Sequence, residues 1–203
     1  MSWLEKVKTL KGLSESLELS EVLGAGSSAL PLHEFLNLVL EILAKENHVL
    51  VGGLALAEYA KPRATQDLDF VIATDDMDKL VKHFEDHGFK MSEHLPYMSP
   101  KREIIKLTYK GRECDLLFFK NQGFTSSLVK RAKTTSLFGK RVKIASAEDL
   151  VITKLASMRW KDKADIMAIR SKSDTLDLGY IRERLWDLGI SDRVEFLKLP
   201  VED

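Results

Sequence analysis

The 203-residue sequence predicts an α/β (α+β) fold, with a central α/β section flanked by N- and C-terminal helices. Three observations carry this expectation. Apolar residues recur at helical spacing before His48. From His48 the pattern changes to short apolar runs bounded by glycine and proline, and helical spacing returns after Ser146. With 44% hydrophobic and 31% charged residues the chain is neither collagenous nor wholly disordered. Its 31 Lys+Arg balance 31 Asp+Glu, so contact with nucleic acid or membrane requires a local patch.

Leu32, Phe35, Leu36, Val39, Leu40 and Leu43 form one face of an amphipathic helix starting near Pro31. The preceding loop contains Gly24-Ala25-Gly26-Ser27-Ser28-Ala29. No apolar strand leads into it, so a helix entry is a better reading than a dinucleotide fingerprint. HVLVGG then reads as a buried strand reaching a tight turn at Gly52-Gly53. LALAEYA follows as two helical turns, stopped at Lys61 by Pro62. Asp67 to Ala73 is a second strand. Thr74 or Asp75 caps a helix striped by Met77, Leu80, Val81 and Phe84, with Gly88 as its stop. After a loop containing Pro96 and Pro100, EIIKLTY and RECDLLFF read as a hairpin across Lys110-Gly111. Residues 120 to 143 hold seven basic residues and no acid, and read as a solvated loop or a contact for a polyanion. Ser146 and Asp149 open a helix running to about Arg170, and residues 174 to 199 add one or two more. The expected parts are N-terminal helices packing on the core (1–47), the α/β core (48–145) and a C-terminal helical region (146–203).

The single cysteine, Cys114, forbids an internal disulfide and fits a reducing compartment. The N-terminal MSWLEKVKTL carries charges where a signal peptide would be apolar, and no apolar run is long enough to span a membrane. A cytoplasmic protein without a membrane partner is expected.

Asp67 and Asp69 stand at i and i+2 on a predicted strand, so both leave the same face while Leu68 and Phe70 point into a core. Neighbouring carboxylates repel each other, and a hard divalent cation, Mg²⁺ or Mn²⁺, neutralises them. Gly52-Gly53 ends a strand where a helix begins, and bare N–H groups there attract phosphate; an ordinary turn is the plain alternative. Asp115, flanked by Cys114, Leu116, Leu117, Phe118 and Phe119, supplies a third acid on another strand. Lys154 lies within an apolar helical stripe, where a buried ammonium requires an anionic partner unless its stem snorkels to water. His83 and His87 have metal-ligand spacing, but no third ligand is evident.

The string VGG, thirteen residues, then DLDF, with Asp115 on a later strand, resembles the nucleotidyltransferase superfamily related to DNA polymerase beta. Arg63-Ala64-Thr65-Gln66-Asp67-Leu68-Asp69 and ASAEDLVITKLASMRWKDKADI resemble most the AbiEii-type toxin nucleotidyltransferases and their relatives. The likeness is more distant to aminoglycoside and lincosamide nucleotidyltransferases. It covers roughly residues 48 to 170. It implies a small mixed β-sheet core and transfer of an NMP from an NTP, with pyrophosphate leaving. It further implies Asp67, Asp69 and Asp115 as catalytic metal ligands for Mg²⁺ or Mn²⁺. Gly52, Gly53 and Lys154 would hold phosphates. Arg63 and Thr65 either meet the nucleotide or brace the Asp67–Asp69 strand. Asp162 and Asp165 match a K-D-x-x-D segment read as structural. The Leu54-Ala55-Leu56 segment lacks the arginine of the small antitoxin-type enzymes. A tRNA, a protein hydroxyl and a small molecule stay open as acceptors, and the N-terminal helices as a homodimer surface or a lid. The rival readings are an inactive nucleotide-binding or toxin–antitoxin module and a plain interaction domain.

Overall fold

The computed structural model describes residues 29–61, 65–98, 102–172 and 176–198. The glycine motif at 24–29 falls almost wholly outside these residues, as do the first expected helix and Arg63.

Helix α1 (Leu32–Ile42) begins after Pro31 as expected and buries Leu32, Phe35, Leu36 and Val39. Strand β1 (Asn47–Leu50) leads into α2 (Gly52–Leu56). This helix is one turn shorter than its run of good formers suggests. Strand β2 (Leu68–Ala73) starts one residue after Asp67. Helix α3 (Met77–Asp86) is capped by Asp76, whose carboxylate accepts from the Lys79 N–H at 3.0 Å, rather than by Thr74 or Asp75. Gly88, at φ +87°, ends it as the sequence predicts.

Strand β3 (Lys90–Met98) is a correction, because Pro96 points to a loop. It is an edge strand paired only with β4 (Arg102–Tyr109), and its register shifts between Leu95 and Met98. An edge position tolerates the missing proline N–H. Strands β4 and β5 (Arg112–Phe119) form the expected hairpin, with Lys110 and Gly111 at φ 44° and 75°. The basic stretch is also ordered. It forms α4 (Gln122–Arg131), capped by Asn121, and a hairpin of β6 (Lys133–Leu137) and β7 (Lys140–Ile144). Leu128, Leu137, Val142 and Ile144 give these elements a buried side.

The expected single helix after Ser146 is two, α5 (Ala147–Ser157) and α6 (Trp160–Lys172). Met158 is left-handed, at φ 51° and ψ 27°, and the Arg159 N–H donates to the Asp162 carboxylate at 3.1 Å. A side-chain cap thus starts a new helix where no Gly or Pro announces a stop. Helix α7 (Leu178–Asp187) and a 3₁₀ segment (Ser191–Lys198) close the described chain.

The seven strands form one mixed sheet in the order β3-β4-β5-β2-β1-β7-β6. Strands β2 and β5 are parallel, as are β1 and β7, whereas β1 and β2 are antiparallel. The C-terminal end of β1 therefore meets the N-terminal ends of β2 and β5. Phe35, Phe70, Phe84 and Phe124 are fully buried in a continuous core. Helix α5 is buried nearly all round: Leu150, Val151, Ile152 and Leu155 have no exposed surface. Its start is held by Asp149, which accepts from the Ser146 and Tyr180 hydroxyls at 2.6 Å each. Its last carbonyls, of Leu155 and Ala156, accept from Arg193 at 2.7 and 2.8 Å. Among the described residues no helix is long and apolar enough to cross a membrane.

Positive φ at both central residues of the β4–β5 turn favours asparagine before glycine. Lys110→Asn is expected to stabilise the protein by about 0.5–1 kcal/mol, measured as a shift of the urea midpoint at unchanged slope.

Candidate active site

The site is built where β1 ends. The Val51 N–H donates to the Asp69 carbonyl at 2.8 Å, so β2 holds the chain as it turns into α2. Gly52 takes φ +68°, and a Cβ there would lie 1.8 Å from Asp69 Oδ2. Only a glycine leaves space for that carboxylate. A Cβ on Gly53 would lie 3.0 Å from Cβ and Oγ1 of Thr65, so Thr65 packs against bare backbone as well.

Asp69 and Asp115 are register partners across the parallel β2–β5 pair. Neighbouring strands lie about 4.8 Å apart, so the two carboxylates project side by side from one face. Asp67, two residues earlier and exposed, extends the row beyond the strand end. These acids, with Gly52, Gly53, Thr65, Gln66, Lys154, Arg159 and Lys161, line a cavity of about 350 Å³. A second cavity, of about 340 Å³, opens at the other end of β2 and β5 beside Ala73, Asp75, Lys120 and Gln122, and no paired carboxylates face it.

Burial pushes the Asp69 carboxyl above the usual range, against the pull of Arg159, and the Asp67 charge adds to the rise. Asp115 is pushed up to about 7, first by burial and then by Asp69. Ionising both acids is therefore costly in the absence of a cation.

Lys154, 4% exposed, donates to Asp165 Oδ2 at 2.6 Å and lies 3.9 Å from Asp162 Oδ1. Its anionic partner is thus a carboxylate of α6. Arg159 forks onto Asp162, with Nε 2.8 Å from Oδ2 and Nη2 3.2 Å from Oδ1. Asp162 and Asp165 hold the two cations at the cavity from behind.

Among the described residues no three His, Cys, Asp or Glu side chains gather into a ready-made metal cage. The donor set still fits a hard divalent cation. Mg²⁺ is ordinarily held by one or two carboxylates, its remaining positions filled by water and substrate phosphates. Asp69 and Asp115, charged at a cost and placed together, supply such a pair, with Asp67 at the rim. Away from the site, His87 Nδ1 donates to the His83 carbonyl at 2.8 Å as a local helix contact.

The structure thus brings together Gly52, Gly53, Thr65, Asp67, Asp69, Asp115 and Lys154. Sequence reasoning missed Gln66, Arg159 and Lys161. The last two directly follow a helix break at Met158 that the residue pattern hides. Arg102, which is not among the cavity's lining residues, has a buried Nη1 with no hydrogen-bond partner, and its pKa is lowered by burial, then by Arg159.

Residues 27–195 match the family described as "Nucleotidyltransferase of unknown function (DUF6036)". The chain belongs to this family. It is accordingly a nucleotidyltransferase, within the superfamily that the sequence motifs indicate. No curated protein matches it. Among solved structures it is similar to a lincosamide antibiotic adenylyltransferase, LnuA, in lincomycin-bound form. That alignment has 16% identity and a TM-score of 0.45, over 72% of this chain and 99% of that one. It is similar to the antibiotic-resistance factor ANT(2'')-Ia at 15% identity and a TM-score of 0.49, over 80% of this chain and 92% of that one. An antigenic nucleotidyltransferase-like protein from Paracoccidioides brasiliensis matches at 19% identity and a TM-score of 0.43, over 85% and 94%. At such distances these likenesses assign no substrate.

Two outcomes follow from the geometry. Gly52→Ala meets both a left-handed backbone and the Asp69 carboxylate. It should cost at least ~1–2 kcal/mol, and Asp69→Ala in the same chain should recover part of that loss in a double-mutant cycle. Asp115, ordinarily near 3.8, titrates at about 7 when folded, so the native state binds its proton more tightly than the unfolded chain. Stability contributed by this group falls as pH rises from about 4 to about 7. Asp115→Asn should therefore stabilise the metal-free protein at pH 8 by about 1–3 kcal/mol, but hardly at pH 4. Thermal melts at both pH values check this.

Proposed function

We propose that the protein transfers an NMP from an NTP to a hydroxyl acceptor in a Mg²⁺- or Mn²⁺-dependent reaction that releases pyrophosphate. The observation that carries this reading is the pairing of Asp69 with Asp115, opposite the bare Gly52 backbone, in a cavity that also holds Lys154, Arg159 and Lys161.

The acceptor oxygen forms a bond to the α-phosphorus as the bond to the α–β bridging oxygen breaks. The electron pair leaves with pyrophosphate, and the acceptor proton must be removed. Backbone N–H groups at Gly52 and Gly53 meet the phosphate oxygens, and Thr65 and Gln66 border the same space. Lys154, Arg159 and Lys161 offset the triphosphate charge, and Asp162 and Asp165 keep the first two extended toward it. Asp67, Asp69 and Asp115 would hold the divalent cation. When bound, the cation lowers the cost of crowding these carboxylates with phosphate and polarises the reacting oxygens. Asp115 receives the acceptor proton, as the carboxylate of β5 that faces the reacting groups. Positioning and charge neutralisation account for most of the acceleration in such transfers.

The test is incubation with each α-³²P-labelled NTP and Mg²⁺, in the presence of small-molecule, protein and RNA acceptors. Labelled product and pyrophosphate are expected, with about 10²–10⁴-fold loss in Asp115→Asn and loss of activity in the presence of EDTA. The fraction retaining label identifies the acceptor. NTP binding that stabilises the fold without pyrophosphate release would favour the inactive nucleotide-binding module instead.

A further inference from the structure

Trp160 is 85% exposed, although a tryptophan ring normally buries most of its surface. It is the first residue of α6, and the residues on either side of it, Arg159 and Lys161, both line the cavity. The Lys163 ammonium lies 5.6 Å from its ring centroid. A ring this exposed keeps at least one face open to solvent.

The cavity that its two neighbours line lacks what such a ring would offer. Its described lining residues are glycines, Thr65, Gln66, carboxylates and cations, and none of them offers an aromatic or apolar face. These groups suit a triphosphate and leave the base unmet. The base is the one part of the donor with a π-face, and stacking on tryptophan is a strong, sequence-tolerant way to hold it. Cations beside both partners add to the attraction.

We propose that Trp160 is the stacking platform for the base of the donor nucleotide. The inference rests on the nucleotidyl-transfer reading and adds a binding residue that the carboxylate motifs do not indicate. The phosphates anchor at Gly52, Gly53, Lys154, Arg159 and Lys161, and the base lies over the Trp160 ring at the lip. The base contributes affinity through its face rather than its edge, so the four NTPs should differ less from one another than each differs from a base-free polyphosphate.

Calorimetric titration with Mg²⁺ separates the two contributions. The ligands are the four NTPs, inorganic tripolyphosphate and a short single-stranded RNA. The proteins are wild type, Trp160→Ala, Trp160→Phe and Trp186→Ala, the last altering another exposed tryptophan, at 75%. Trp160→Ala should weaken NTP binding roughly 5- to 100-fold and leave tripolyphosphate unchanged. Trp160→Phe should retain most of the affinity, and Trp186→Ala all of it. If Trp160→Ala leaves NTP affinity intact, or weakens NTP and tripolyphosphate equally, the stacking assignment is overturned while the transfer reading stands. If only RNA binding falls, the platform serves an acceptor strand and the donor assignment is overturned. If wild type binds neither NTP nor tripolyphosphate, the transfer reading fails and the inference with it.

Discussion

The Asp69 carboxylate occupies the space that a side chain at position 52 would need, and the rest of the site is arranged around that contact. It requires glycine at the end of β1, and the left-handed backbone there turns the chain into a short helix beside the carboxylate. The Val51 N–H bonds to the Asp69 carbonyl, so one residue of β2 holds the turn with its backbone and fills it with its side chain. Pairing β2 with β5 then places Asp115 beside Asp69 without a further device.

This arrangement concentrates negative charge in a partly buried place and answers it at a short distance. Lys154 and Arg159 do not neutralise the paired acids by direct ion pairs. Asp165 and Asp162 engage them instead, and both cations still line the cavity. Cations pinned in this way are kept off Asp69 and Asp115, which leaves the space between them open, as the proposed reaction requires. The folded protein carries these poorly compensated acids at a cost, and burial raises both of their pKa values.

Helix α5 makes the cation side rigid. It is buried almost all round, capped at one end by Ser146, whose hydroxyl accepts from the Asp149 N–H, and bound through its final carbonyls by Arg193 at the other. The left-handed Met158 then breaks the helix and redirects the chain, so that Arg159, just before α6, and Lys161, in its first turn, line the cavity. Carboxylates on the sheet and cations on the helices face each other because the C-terminal region packs on the same core.

Several parts of this were readable from residues alone. Apolar alternation placed β2 and β5 with their acids, Gly52-Gly53 marked the turn, and Lys154 within an apolar stripe signalled a buried ammonium with an anionic partner. These features are local: a side chain's face follows from its period, and a buried charge demands a partner wherever it lies. The edge strand β3 and the basic elements α4, β6 and β7 were not readable. Proline is tolerated only where no neighbour needs its N–H, and the buried side of the basic segment appears only once the sheet is assembled. The helix break at Met158 depends on a side-chain cap from Asp162, which leaves no composition signal. What the sequence by itself determined was the set of acids, glycines and lysine and the chemistry they suit. Tertiary structure alone decided that Asp69 faces Asp115 in register, that Asp165 holds Lys154, and that Trp160, between two cavity-lining residues, is exposed. Each of these depends on how separate elements pack against one another, and local periodicity does not encode that.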